Sequence, residues 1–295
     1  MSSDILEPLP LEKWQLLAEK LKKNWPANVQ YYYFVHTAKK WKTKEPNIPI
    51  TIYCLNADYN SGIFVSVSDF TIYSVIAFAH EGFEKLLYKA VTESKFIKWN
   101  KGVFLPAIQL RLVPTVYSII DFLKVKKNLE IEWNVPGNCF FKSKEECAVF
   151  EVQVPDDCYL KELDDTHIPL IHSVWPHRNE ENPELSTRHV MAMVKFNGGL
   201  GLFSKDTNEL LSWAVQSELG AISLVQTIDR CKRRGYAKIV TNAIAKELAM
   251  KEIDSFLFIV KGNIPSESMF SSLNWKHLHE TDWIQTKEFT DVIER

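Results

Sequence analysis

The segment Val225-Gln226-Thr227-Ile228-Asp229-Arg230-Cys231-Lys232-Arg233-Arg234-Gly235-Tyr236-Ala237-Lys238 concentrates the residue types of an anion site. A strand-like run ends, Arg230, Lys232, Arg233 and Arg234 crowd within five positions, and Gly235 and Ala237 open a predicted helix. The first amides of a helix have no intrahelical acceptor and carry a partial positive charge, so they receive phosphate oxygens readily. Gly235 lets the backbone come close to a phosphate where a Cβ would obstruct it, and small Ala237 keeps the first turn open. The whole chain supplies no such field: 35 Lys and Arg against 37 Asp and Glu leave a net charge of −2, without the basic excess of a general nucleic-acid binder. An anion must therefore be met locally. The same run also fits an ordinary solvated loop, and the pattern alone leaves both readings standing.

Other chemistries find less support. The eight histidines are scattered; His172 and His177 flank Trp175 but lie in no H-E-x-x-H pattern and have no cysteine partner, so no metal is expected. Cys54, Cys139, Cys147, Cys158 and Cys231 form no C-x-x-C pair and no even framework, which predicts reduced thiols. No G-x-S-x-G elbow points to a hydrolase. The nine tryptophans, Trp213, Trp275 and Trp283 among them, read mostly as core.

At 295 residues, 46% hydrophobic and 24% charged, the chain has the length of about two domains and an ordinary globular composition. No apolar run reaches the roughly 20 residues that cross a bilayer. Met1-Ser2-Ser3-Asp4-Ile5-Leu6-Glu7-Pro8 resembles no signal peptide, and the first arginine is Arg111. Ile293-Glu294-Arg295 is not a peroxisomal address. The expectation is a cytoplasmic protein.

The elements that must position the basic turn follow from periodicity. Trp14, Leu17, Ala18, Leu21 and Trp25 predict a helix stopped by Pro26. Residues 31–35, 50–55, 63–67 and 71–78 read as strands, the Tyr31-Tyr32-Tyr33 run by alternation. Helices are expected through Phe83, Leu87 and Val91, and from Pro114 through Leu123. A strand at 129–133 precedes Asn134-Val135-Pro136-Gly137-Asn138 and the charged Lys142 to Glu146, read as turn and linker. This divides the chain into modules 1–145 and 146–295. In the second, strands at 159–163, 200–204, 210–215 and 220–227 alternate with helices capped at Asp164 and opened by Pro183. The basic turn then leads into a helix over 235–250, a strand over 255–260, a short helix and a last strand near 277–284. This order predicts an α+β fold, mixed and mostly antiparallel, with one strand–turn–helix–strand crossover.

Here the chain resembles the GNAT N-acyltransferases, whose acyl-CoA site is a strand, an R/Q-x-x-G-x-G/A turn and a helix, then a strand and an asparagine. Lys232-Arg233-Arg234-Gly235-Tyr236-Ala237 matches that turn with Lys in place of Arg or Gln. Asn263 stands at the pantetheine-binding asparagine, Ser266 at a small-residue position, and Asn274-Trp275 replaces Gly-Phe. Leu16 to Lys23 with Pro26, Phe122 to Lys127, and Val174-Trp175-Pro176-His177 extend the likeness towards the glycine N-acyltransferase-like branch. The resemblance implies two tandem GNAT-like modules, the first degenerate. Before residue 140 the nearest counterpart of the basic turn is His80-Glu81-Gly82-Phe83-Glu84, whose carboxylates would repel a pyrophosphate.

The resemblance further implies CoA held by Lys232 to Lys238 and Asn263, with its pantetheine arm along Leu224, Val225, Gln226 and Thr227, and an oxyanion met by an amide near Val225. The acceptor would be a small amine or amino acid. Two positions depart from the pattern: Ala221 replaces the branch's general-base glutamate, and Phe270 replaces the usual acid tyrosine. Ser223 and Glu218 remain as candidates to hold a water or take a proton. The alternative is an acyl-CoA-binding protein with the same fold and impaired chemistry; acetylation of protein N-termini is a third reading. Family analogy also allows a mitochondrial location.

Overall fold

In the computed structural model of this chain, residues 4–289 are described; Met1-Ser2-Ser3 and Ile293-Glu294-Arg295, read above, lie outside them. Two compact units divide the chain. One comprises residues up to Asn138 and those from His279 onward, and the other is Cys139–Leu278. The last strand is thus shared out differently from the 146–295 module drawn from sequence.

The first unit contains β1 (Leu6–Pro8), α1 (Trp14–Leu21), α2 (Val29–Lys44), β2 (Ile50–Leu55), β3 (Ile63–Asp69), β4 (Tyr73–Ala79), α3 (Glu84–Glu93), β5 (Phe104–Gln109), α4 (Val113–Lys127) and most of β6 (Ile131–Lys142). Its strand order is β1-β2-β3-β4-β5-β12-β6, where β12 is the final strand, Lys276–Thr286. Strands β1–β2, β2–β3, β3–β4 and β5–β12 pair antiparallel, whereas β4 and β5 run parallel and match at Ser74 and Phe104.

Three sequence readings are corrected here. Tyr31 to Val35 lie in α2, not in a strand. Tyr31, Phe34, Val35, Ala38 and Trp41 are all buried, the stripe of a 3.6-residue period. Tyr31 then lies against Phe64 and Phe78 of β3 and β4, with ring centroids 6.2 and 4.7 Å away. Packing on the sheet overrides the β-propensity of the tyrosines. Asn134 to Asn138 continue β6. Proline's fixed φ is compatible with extended chain, so Pro136-Gly137 breaks a strand only where no neighbour holds it, and β12 lies beside β6. Lys142 closes that strand, and Ser143 caps a short helix, α5 (Lys144–Ala148), rather than a linker. The Ser143 hydroxyl accepts from the Glu146 amide at 3.3 Å, and the Glu146 carboxylate accepts from the Ser143 amide at 3.1 Å. Strand β5 was not expected at all, since Pro106 interrupts its pattern.

The second unit continues with β7 (Cys158–Glu162), α6 (Ile168–Ser173), α7 (Pro183–Asn197), β8 (Gly199–Ser204), β9 (Leu210–Gln216), β10 (Ile222–Thr227), α8 (Tyr236–Met250), β11 (Ser255–Val260) and α9 (Ile264–Ser272). Its strands are ordered β6-β11-β10-β9-β8-β7. Strands β7 to β10 pair antiparallel, and β10 runs parallel to β11, with α8 as the crossover. The expected mixed, mostly antiparallel α+β architecture is therefore present. Val240, Ile244 and Leu248, on one stripe of α8, join the core around Trp213, Leu202 and Phe203.

The helical assignment of α2 has a direct test. Alternation would place Phe34 on the face opposite Tyr31, Tyr33 and Val35, whereas the helix buries it. Phe34→Ala is expected to cost about 3–5 kcal/mol in urea denaturation.

Candidate functional site

Strand β10 does not pair evenly. Ile222 faces Gln216 and Ser223 faces Val215, but the next matched pair is Gln226 with Trp213, so three steps on β10 oppose two on β9. The extra residue is a bulge, with Leu224 at φ +51°. On the other side, pairing with β11 is confined to Ile222 and Leu257. From Ser223 to Gln226 the strand is half-buried, between buried Ile222 and Thr227. A parallel neighbour that leaves after one pair exposes the backbone donors and acceptors of the bulged segment, which must find another partner. The far end of the strand is pinned by Ser212, whose hydroxyl donates to the Gln226 carbonyl at 2.8 Å and lies 2.8 Å from the Thr227 hydroxyl.

Beyond Thr227 the chain makes a short 3₁₀ turn, Asp229–Cys231, and reaches α8 through a tight reversal. Arg233 has φ +65° and Gly235 φ +81°. A Cβ at residue 235 would meet no atom within 4 Å, so the backbone conformation, not crowding, calls for glycine. No side-chain cap closes α8, and no acidic residue sits in its first turn. The Gly235 carbonyl receives the amides of Lys238 and Ile239, leaving those of Tyr236 and Ala237 at the mouth.

The basic side chains divide by partner. Arg230 is tied to Glu209, and Lys232 to Asp229 at 2.6 Å. Lys238 donates to the Ser272 hydroxyl at 2.9 Å. Arg234 is exposed, and burial pushes the pKa of the neighbouring Tyr236 hydroxyl upward. Arg233, exposed beside Gly235, presents its charge outward. Thus the field at the helix mouth comes chiefly from Arg233, Arg234 and the helix itself, not from four equal cations.

Asn263 is the N-cap of α9: its side-chain oxygen accepts from the Ser266 amide at 3.3 Å, and its exposed amide nitrogen projects from the helix start. Phe270 is buried edge-to-face against Trp275, with ring centroids 5.5 Å apart. Ala221 is buried, and Ser223 is half-buried beside the bulge. Glu218 lies in the turn before β10 and faces His189 on α7, with 3.6 Å between Oε2 and Nε2. His189 escaped the sequence reading: 29 positions separate it from Glu218, and no motif links them. Among the described residues, no group of three or more His, Cys, Asp or Glu is arranged to hold a metal ion.

The first unit holds a turn at the same place in its own strand order. Gly82 follows β4, has φ +88°, and precedes α3 as Gly235 precedes α8. There the resemblance ends. The Glu84 carboxylate accepts from the Gly82 amide at 2.9 Å, and Arg111 pairs with Glu84 at 3.4 Å. Arg111 also donates to the Ala79 carbonyl at the end of β4, 2.6 Å away, and lies over the Phe78 ring. One turn is filled by the chain's own carboxylate; the other is open. Because residue 235 demands a left-handed backbone with no clash, Gly235→Ala is expected to cost about 1–2 kcal/mol in thermal denaturation. Gly235→Asn should cost less, since Asn tolerates that conformation.

Residues 199–284 match the family model for FR47-like protein, and residues 5–119 match a domain of unknown function, DUF5645. No protein with a curated description matches the chain. A Drosophila protein solved by X-ray crystallography superposes with a TM-score of 0.85 at 22% identity, covering 98% of this chain and 100% of that one. A tandem GNAT protein from the clavulanic acid biosynthesis pathway superposes with a TM-score of 0.57 at 10% identity, over 97% and 100% of the two chains. A GCN5-related N-acetyltransferase from Sphaerobacter thermophilus gives 0.55 at 8% identity, over 98% and 96%. The chain accordingly has the tandem GNAT fold.

Proposed function

We propose that the second unit binds acyl-CoA and transfers its acyl group to a small primary amine or amino acid, in the manner of the glycine N-acyltransferase-like proteins. The observation that carries this reading is the pairing of an uncapped helix start at Gly235, with no acidic residue in its first turn, and a bulged strand whose edge is released beyond Ile222. A diphosphate fits the amides of Tyr236 and Ala237 with Arg233 and Arg234 beside them. From that anchor, an extended amide-containing arm laid along Leu224 to Thr227 would take up the strand's released hydrogen-bonding groups, as an added strand does. The Asn263 side-chain nitrogen and Lys232 and Lys238 complete the proposed seat. Two similar structures described as GNAT or N-acetyltransferase proteins support an acyl donor of this class.

When bound, acyl-CoA would supply an activated thioester. The chain's part is to orient it and to offer an amide near Val225 to the developing oxyanion. Buried Phe270 gives no proton to the leaving sulfur, but a thiol of pKa about 8.5 departs tolerably as thiolate. Ala221 takes no proton either, and a missing general base typically costs about 10²–10⁴ in rate. Those two residues favour the second reading, a CoA-binding protein without turnover. Release of free CoA over a panel of acyl-CoAs and primary amines separates the two.

Isothermal titration with CoA tests the shared premise. Wild type is expected to bind one CoA per chain, because Glu84 already fills the turn at Gly82. Gly235→Asp should weaken binding at least tenfold, and Gly235→Asn, which adds a Cβ but no charge, should weaken it less than Gly235→Asp does. Equal binding by all three proteins would remove the proposal.

A further inference from the structure

Glu218 is held in a way that the fold alone does not require. It sits in the turn joining β9 to β10, and that turn is tied at several points. The Ser217 amide donates to the Ala221 carbonyl at 2.8 Å and the Gly220 amide to the Ser217 carbonyl at 2.9 Å. The Asn197 side chain donates to the carbonyls of Ser217 and Gln216 at 2.8 and 3.2 Å, and Gln216 donates to the Gly220 carbonyl at 3.0 Å. The backbone of Glu218 is therefore fixed while its carboxylate is largely covered, with 24% of the side chain exposed. Oxygen Oε2 is buried and accepts no hydrogen bond. A buried carboxylate oxygen without a donor costs free energy comparable to a lost charged hydrogen bond. His189 Nε2 stands 3.6 Å away, beyond hydrogen-bond length but within ion-pair range. The His189 ring is in turn stacked on Trp175, with centroids 6.2 Å apart and planes 21° from parallel.

The position matters as much as the vacant valence. The Gly235 turn lies beyond the C-terminal end of β10, and the Glu218 turn beyond its N-terminal end, next to the single β10–β11 pair at Ile222. The six residues of β10 span about 20 Å. An arm anchored at Gly235 and laid along the bulged segment thus carries its reactive end towards Glu218.

We propose that Glu218, oriented by His189, seats the ammonium group of the acyl acceptor and takes its proton, replacing the carboxylate absent at Ala221. This inference rests on the acyl-transfer reading above. The step balances as follows. The ammonium gives one proton to the Glu218 carboxylate, and the freed nitrogen lone pair forms a C–N bond to the thioester carbon. The C–S bond breaks with its electron pair on sulfur, and the second N–H proton goes to that thiolate. Amide, CoA thiol and one proton, released from Glu218 to solvent, are the products. His189 is a positioning residue.

The test uses the full chain, wild type against Glu218→Gln and His189→Gln, with CoA binding followed by calorimetry and CoA release over glycine, ethylamine and benzylamine. CoA affinity should stay within twofold in both variants; if wild type binds no CoA, it is the acyl-transfer reading that fails. For any amine that turns over, Glu218→Gln should lower kcat/KM by about 10² or more at pH 7. That loss should shrink as the pH approaches the amine's own pKa, where the nucleophile is already neutral. His189→Gln should give a smaller loss with the same pH trend. Wild-type activity in Glu218→Gln, or a loss equal at every pH, overturns the proposal. Should none of the three amines turn over, titration of methylammonium into the CoA-saturated proteins decides. Binding to wild type and not to Glu218→Gln supports the seat; equal binding, or none, overturns it.

Discussion

A parallel strand pair that meets at one residue and then parts is the constraint around which the second unit is arranged. Strands β10 and β11 match at Ile222 and Leu257, and the bulge at Leu224 turns the rest of β10 away from even pairing. Backbone N–H and C=O groups at such a place are obligatory hydrogen-bonding groups without their sheet partner. The strand cannot simply be lost, because Thr227 is locked to Ser212 and Ile222 is buried in the ladder with β9. The fold therefore keeps a strand in place with part of one edge released, a short chain length from an uncapped helix.

The two units show how little separates an open glycine turn from a closed one. Both present a glycine with positive φ between a strand and a helix, and at both a Cβ would meet nothing within 4 Å. In the first unit one carboxylate, Glu84, reaches back to the turn amide and holds Arg111, which also covers the carbonyl at the end of β4. In the second unit the first turn of the helix carries no acidic residue, and the neighbouring acids, Glu209 and Asp229, are drawn to Arg230 and Lys232. Placement of two or three charges thus distinguishes turns that the backbone makes alike.

The same logic explains why four clustered cations contribute unequally. Arg230 and Lys232 are neutralised by exposed ion pairs that are individually weak, so they hold the turn's shape more than they add to its field. Lys238 reaches Ser272, which fixes its direction, while Arg234 is exposed beside the helix mouth. Asn263 has a comparable double character: its oxygen secures the start of α9, and only its nitrogen is left to face outward.

Much of this was legible in the linear chain. The basic turn, Gly235, the helix after it and the buried strand beyond it follow from charge clustering and 3.6- and 2-residue periods, because those patterns are local. The run Tyr31 to Val35 has residue types that favour strands, while its burial period, visible only against Phe64 and Phe78, is helical. The extension of β6 through Pro136-Gly137 and the existence of β5 depended on neighbouring strands far away in sequence, which no window of residues contains. Glu218 could be named from its nearness to β10, but its meeting with His189 depends on how α7 lies against the β9–β10 turn. What the sequence settled by itself is which helix start gathers cations beside a glycine and which gathers carboxylates, since charge and glycine act locally. Which strand edge is released, and which buried oxygen lacks a donor, was decided by tertiary structure, because both are properties of partners that only packing brings together.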